Sequence, residues 1–263
     1  MTLPPGQPLA VRHANITAVT SGKGGVGKTF VAANLAAALA RQGQRVLVLD
    51  ADLGLANLDV MLDLVPKVTL HDVFTGRVPL DEAVVAAPGG FSVLLAGSGM
   101  VEYSRMTPEV REQLQQVVDQ MAPRYDRILL DTGAGISDVV LYTVSLAADV
   151  LVVATPEPTS LTDAYATIKV LAGMQQRTLI HLLVNQVRHA GEGRAVRQQL
   201  QQVIDRYVNP TLERALRVEL LGEVPLDPAV RESVQRRKLL LEIQPGAAAA
   251  QGIVAAATRM IGA

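Results

Sequence analysis

Ser21-Gly22-Lys23-Gly24-Gly25-Val26-Gly27-Lys28-Thr29 is the stretch whose reading decides the fold. Just before it, Ile16-Thr17-Ala18-Val19-Thr20 has the apolar, β-branched character of a short buried strand. Just after it, Val31 to Ala40 is rich in Ala and Leu and suits a helix. A glycine-rich turn between a strand and a helix is where backbone amides can close around phosphate. Gly22, Gly24, Gly25 and Gly27 let the main chain approach an anion, and the first helical turn adds its positive end. Lys28 then has the reach to neutralise β/γ-phosphate oxygens, and the Thr29 hydroxyl can ligate Mg²⁺.

Moving outward, Arg45 to Asp50 (RVLVLD) is a nearly continuous apolar strand that runs into Asp50-Ala51-Asp52. Carboxylates at the C-terminal end of a parallel strand face the crevice where such sheets bind ligands. Ile128-Leu129-Leu130-Asp131 repeats the pattern and continues as Thr132-Gly133-Ala134-Gly135, read as a flexible turn. Asp131 there would hold Mg²⁺ directly or through water. Further strands are expected at Asp149–Thr155, Leu179–Asn185 and Leu220–Pro225, the last closing the sheet. Phe91–Leu95 is expected to be antiparallel or at an edge, leading into Gly97-Ser98-Gly99. Helices are expected from Pro108 to about Met121, around Tyr165, Ile168, Val170 and Leu171, and from Ala247 onward. In the last, Ile253, Val254, Ala257, Met260 and Ile261 are read as one core-facing stripe.

The 263 residues include 49% hydrophobic residues, with only three Phe, five Tyr and no Trp, so the core must be built from Val, Leu, Ile and Ala. That composition suits parallel strands covered on both faces. The expected architecture is one doubly wound α/β domain over residues 15–263, with a mostly parallel sheet of about seven or eight strands, after a flexible lead-in at 1–14. A net charge of −1 gives no overall bias towards nucleic acid or an acidic membrane. The absence of cysteine excludes disulfides and cysteine–metal sites and fits a reducing cytoplasm. Seven Arg stand against Glu192, Asp205 and Glu213 between Arg177 and Arg217, a local +4. This is read as a solvated helix face, or as a docking face for an acidic partner or, less favoured, for DNA.

Lys23, a second lysine inside the loop, gives KGGVGKT, which resembles the deviant Walker A motif of the MinD/ParA family of P-loop ATPases. DADLGLANLD (Asp50–Asp59) is similar to the family's second signature. Within the family, DTGAGIS (Asp131–Ser137) and TPEPTSLTDAYATIKVL (Thr155–Leu171) resemble the FlhG/FleN (YlxH) group, which regulates flagellar number and placement. The resemblance implies that ATP contacts Gly22, Lys23, Gly24, Gly25, Val26, Gly27, Lys28, Thr29, Phe30 and Pro225, and that Asn185 recognises adenine. GTP-specific relatives carry [N/T]KxD, and Asn185-Gln186-Val187-Arg188 lacks its Lys and Asp. It also implies that Thr29, Asp50 and Asp131 surround Mg²⁺, that Asp52 orients the attacking water, and that Lys23 and Lys28 serve catalysis. Lys23 would do so across a homodimer interface.

The implied protein is a slow, ATP-dependent dimerising switch that controls flagellar biosynthesis through a FleQ-type transcription activator or an FlhF-like GTPase. The alternatives are a ParA-type partitioning ATPase on nonspecific DNA and a MinD-type division-site regulator. Residues 1–14 contain nothing like the group's DQAxxLR-like segment, and no basic membrane helix follows the last helix. Membrane binding is therefore expected to be weak or absent and DNA binding is not favoured. The expected location is the cytoplasm, or the periphery of the inner face of the cell membrane.

Overall fold

The computed structural model describes residues 14–53, 57–97 and 106–262. Gly54–Ala56, Ser98–Gly99 and residues 1–13 of the lead-in lie outside the described residues. The chain runs β1 (Asn15–Ser21), α1 (Lys28–Arg41), β2 (Val46–Ala51), α2 (Leu58–Met61), α3 (Leu70–Phe74), α4 (Leu80–Ala83), β3 (Val84–Ala86) and β4 (Ser92–Leu94). It continues through α5 (Pro108–Met121), β5 (Arg127–Ala134), α6 (Asp138–Ser145), β6 (Asp149–Ala154), α7 (Pro158–Gln175), β7 (Leu179–Val187) and α8 (Glu192–Tyr207). β8 (Arg217–Pro225), α9 (Pro228–Gln235), α10 (Leu240–Ile243) and α11 (Ala248–Gly262) complete it.

The eight strands form one sheet in the order β3-β4-β2-β5-β1-β6-β7-β8, parallel throughout except for β3 against β4. From β1 the chain steps past the position of β5 to β2, fills the gap with β5, and then builds outward on the other side through β6, β7 and β8. The order therefore reverses beside β1, and a crevice opens at the C-terminal strand ends there. Successive strand residues feed opposite faces. Ile128 and Leu130 of β5 join one core with α5, α6, α7 and α8, whereas Leu129 joins the other with α1, α10 and α11. α1 is buried on nearly every side, from Phe30 to Leu39, because it lies between the sheet and α11. Small residues on both helices, Ala36 and Ala37 against Ala249, Ala250, Ala256 and Ala257, permit that close layer.

Several expectations are corrected. The strand at Phe91–Leu95 is β4, parallel to β2, and the antiparallel edge is Val84–Ala86, three residues too few for a legible alternation. Thr132-Gly133-Ala134 continues β5 instead of turning, because Thr132 Oγ1 donates to the Val19 carbonyl and Gly135 N–H to the Ser21 carbonyl at 2.8 Å. In α11, Ile253, Ala257 and Met260 are buried, but Val254 and Ile261 are each 39% exposed. Those two sit roughly 80–100° around the helix from Ile253 and miss the face that packs on α1 and β8.

Candidate nucleotide site

β1 delivers the chain to the phosphate-loop sequence at the crevice, and the loop is shaped by its own glycines. Gly25 (φ 80°) and Gly27 (φ 92°) are left-handed, a conformation that a Cβ would oppose. Gly27 is the N-cap of α1 and brings no side-chain acceptor, and Val31 N–H makes the return bond to its carbonyl at 2.9 Å. The amides of Lys28, Thr29 and Phe30 thus stand at the open, positive end of a 14-residue helix. At the loop's other end, Ser21 Oγ donates to the Lys23 carbonyl at 2.8 Å. Gly22 is glycine for packing reasons: a Cβ there would stand 2.1 Å from the Asp163 carbonyl oxygen of α7.

Asp50 is the penultimate residue of β2, Asp131 lies three residues before the end of β5, and the two are paired neighbours in the β2–β5 register. Both are essentially inaccessible, at 1% and 2% exposure. Burial, and then the neighbouring Asp131, hold the Asp50 carboxyl well above the usual range, against weak support from the Asp52 and Leu58 N–H groups at 3.3 and 3.4 Å. Burial also pushes Asp131 up to about 6, although Lys28 and the Thr29 hydroxyl pull it down. One oxygen of Asp131, Oδ1, has no hydrogen-bond partner. A buried carboxylate oxygen left without a donor, beside a threonine hydroxyl, fits a cation. Among the described residues no three His, Cys, Asp or Glu gather as a metal cage. That suits Mg²⁺, which binds through one or two protein oxygens and completes its shell with phosphate and water.

A cavity of about 540 Å³ opens between the loop (Gly24 to Phe30), Asp52 and Asn57 after β2, and the Gly133–Val140 segment. Asp52 is half-buried, and its Oδ1 lies 3.5 Å from where a Cβ on Gly133 would stand. Ser137 faces the same space as the N-cap of α6, accepting from Val140 N–H at 3.4 Å. α6 is absent from the expectations above, yet Ser137-Asp138 before Val139-Val140-Leu141 is a helix-start signal. A larger cavity, about 1090 Å³ between α8, β8 and α11, contains none of the motif residues. Its breadth reflects a groove at the sheet edge, and the chemistry lies in the smaller one.

Seven expected site residues do not line that cavity: Val26, Asp50 and Asp131 are buried, and four others face elsewhere. Lys23 turns towards the start of α7, its Nζ 3.2 Å from Thr159 Oγ1 and 3.8 Å from Glu157 Oε2 in the same chain. Asn185 lies behind the loop, its Nδ2 donating to the Val26 carbonyl at 2.8 Å. Pro225 packs near Gly252 of α11, and Gly22 faces α7. The contacts of Lys23 could not be read from its own neighbourhood in sequence, because Thr159 is 136 residues away. The basic stretch separates too. Arg177 donates to the carbonyls of Val144, Ala147 and Ala148 at 2.8–2.9 Å and closes the C-terminal end of α6, while Arg194, Arg197 and Arg217 line the larger groove.

Comparison with known proteins agrees with this geometry. A profile of the ParA family, described as NUBPL iron-transfer P-loop NTPase, matches residues 12–261. The antiactivator FleN of Pseudomonas aeruginosa is 41% identical over 95% of this chain and 88% of its own length. The flagellum site-determining protein YlxH of Helicobacter pylori is 33% identical over 92% of this chain and 80% of its own. The septum site-determining protein MinD of Pyrococcus horikoshii, solved as a complex with Mg-ADP, superposes with a TM-score of 0.76 at 27% identity. That match covers 94% of this chain and 96% of the other. A glycine loop opening a helix, two buried strand-end aspartates and a match over almost the whole length leave one assignment: the chain belongs to the ParA/MinD family of P-loop ATPases.

Proposed function

We propose that the protein is an ATP-operated, dimerising switch that regulates flagellar number or placement. The kinship to FleN over 95% of the chain supports the flagellar role most strongly. In this reading the amides from Gly24 to Phe30 cradle the phosphates and Lys28 neutralises their β/γ charge. Thr29 and Asp131 hold Mg²⁺, with Asp50 beneath them. The metal ion supplies charge neutralisation at the phosphates. Asp52, at the cavity wall beside Gly133, orients the attacking water, and Asn185 and Pro225 lie towards the base.

Lys23 acts across the interface between two copies. Its present partners do not obstruct that role, since the lysine and Glu157 side chains are 43% and 66% exposed. An ion pair so open to water is worth at most about 1 kcal/mol and is readily exchanged. Phosphate oxygens of a second subunit's nucleotide would compete well for the same ammonium. The partners beyond the homodimer are a FleQ-type transcription activator or an FlhF-like GTPase, and the location is cytoplasmic.

The test is light scattering and turnover with Asp52→Ala, followed by capture of partners with the ATP-loaded variant and with the ADP form of the wild type. Dimer accumulating with Mg-ATP, and an activator or GTPase retained only by that form, is expected. Monomer throughout would overturn the switch. The likeness to MinD supports a second reading, a division-site regulator. It requires ATP-dependent flotation with anionic vesicles, although no described helix is long and apolar enough to cross a membrane. Transfer of an iron–sulfur cluster is disfavoured, because those clusters are held by cysteine thiolates and this chain has no cysteine.

A further inference from the structure

Asn185 is placed to do something besides facing a base. Its side chain belongs to a residue only 4% exposed at the end of β7, and both ends of its carboxamide are engaged. Nδ2 donates to the Val26 carbonyl across 159 residues of sequence, and Oδ1 accepts from Gln186 N–H at 2.9 Å. Gln186 is left-handed, with φ 62°, and the register between β7 and β8 shifts between Asn185 and Val187. A residue with a Cβ adopts that conformation only against resistance. The bulge it creates is therefore held in place, and the asparagine that it positions is also the group that supports it.

What the amide grips is the peptide between two left-handed glycines, Gly25 and Gly27, immediately before α1 begins. There is no slack in the contact: a Cβ on Gly27 would come within 2.5 Å of Asn185 Nδ2. The middle of the loop is open. A Cβ on Gly24 or Gly25 would meet nothing within 4 Å. The other side-chain strap on the loop, Ser21 Oγ to the Lys23 carbonyl, secures its beginning. The Asn185 strap secures its end, where Lys28 and the helix amides must be aimed.

We propose that Asn185 is a positioning residue for the polyphosphate, fixing the Val26–Lys28 turn whether or not a base is bound. The proposal rests on the reading of this loop as a phosphate site. It differs from adenine recognition in one measurable way: loss of the strap weakens a ligand that has no base.

Asn185→Asp is the sharpest variant, since a carboxylate keeps the shape and still accepts from Gln186 N–H, yet turns an acceptor towards the Val26 carbonyl. Asn185→Ala removes both bonds. Binding of ATP, GTP and inorganic tripolyphosphate, each with Mg²⁺, is measured by calorimetry, with displacement of a fluorescent ATP analogue as a second measure. Loss of one buried hydrogen bond should weaken ATP and tripolyphosphate alike, by roughly 3- to 10-fold in Asn185→Ala and more in Asn185→Asp. In ligand-free protein, amides of the 22–30 segment should exchange faster while those of β5 and β6 keep their wild-type protection. That readout also shows that the variant is folded.

Weaker ATP binding with unchanged tripolyphosphate binding would make Asn185 a reader of the base alone and overturn the proposal. Unchanged affinities and unchanged exchange would overturn it equally. Should wild-type tripolyphosphate bind too weakly to measure, the exchange of the loop decides. Failure of the wild type to bind any of the three would instead refute the phosphate-site reading itself.

Discussion

Replacing Asp131 by asparagine should stabilise the ligand-free protein at neutral pH while removing its capacity to hold Mg-ATP. Asp131 is 2% exposed, with one oxygen unpartnered, and burial raises its carboxyl from 3.8 to about 6. Because the folded value lies above the unfolded one, the native state binds the proton more tightly. The group's stability is fully present below about pH 4 and is lost as pH rises through about 6. A shift of about two pH units corresponds to about 3 kcal/mol. Asparagine has nearly the same shape and carries no charge to desolvate, so it escapes that loss. Urea unfolding of both proteins between about pH 4 and pH 8 should show them converging in acid. The variant should lead by up to about 3 kcal/mol at the alkaline end. Asp50 shifts in the same direction, partly because of the Asp131 charge, so the difference between the curves reports the buried pair. An Asp131→Asn variant no more stable than wild type at neutral pH, or an advantage that persists undiminished in acid, would refute the buried-charge argument.

Lys23→Ala should keep monomeric ATP binding and lose ATP-dependent dimerisation and turnover. A mixture with Asp52→Ala should regain partial activity at the one site that has Lys23 in trans and Asp52 in cis, and silent mixed dimers would exclude a role across the interface. Gly22→Ala forces a Cβ to 2.1 Å from the Asp163 carbonyl oxygen and 2.7 Å from Ala164 N, both backbone atoms that cannot swing away. Urea unfolding should show a loss at or above the upper end of the usual overpacking range, about 3 kcal/mol, and a loss under about 1 kcal/mol would mean that β1 and α7 part easily. Arg177→Ala removes three hydrogen bonds to carbonyls at and after the end of α6, of which Val144 keeps a backbone donor, and should cost about 2 kcal/mol in thermal or urea unfolding. An unchanged stability would return Arg177 to the exposed basic face.

The parts of the site legible from sequence are those whose physics is local. A strand, a glycine turn and a helix start within fifteen residues of one another, and the loop's left-handed glycines and the helix end follow from that order alone. Apolar strands ending in Asp50 and Asp131 likewise announce the ligand-binding edge, because a parallel sheet gathers its strand ends there. Adjacency was not legible. That Asp50 and Asp131 are register neighbours, so that the charge of Asp131 raises the Asp50 carboxyl, depends on β5 entering between β2 and β1. The same is true of β3, whose three residues become a strand only because β4 offers a partner. Lys23 in the grip of Thr159, Gly22 against the backbone of α7, and Asn185 under Val26 join segments more than a hundred residues apart. No propensity or periodicity encodes such pairs. They exist because the packed layers leave one place for each segment, and the charges and hydrogen bonds of the site are settled only when those places are filled.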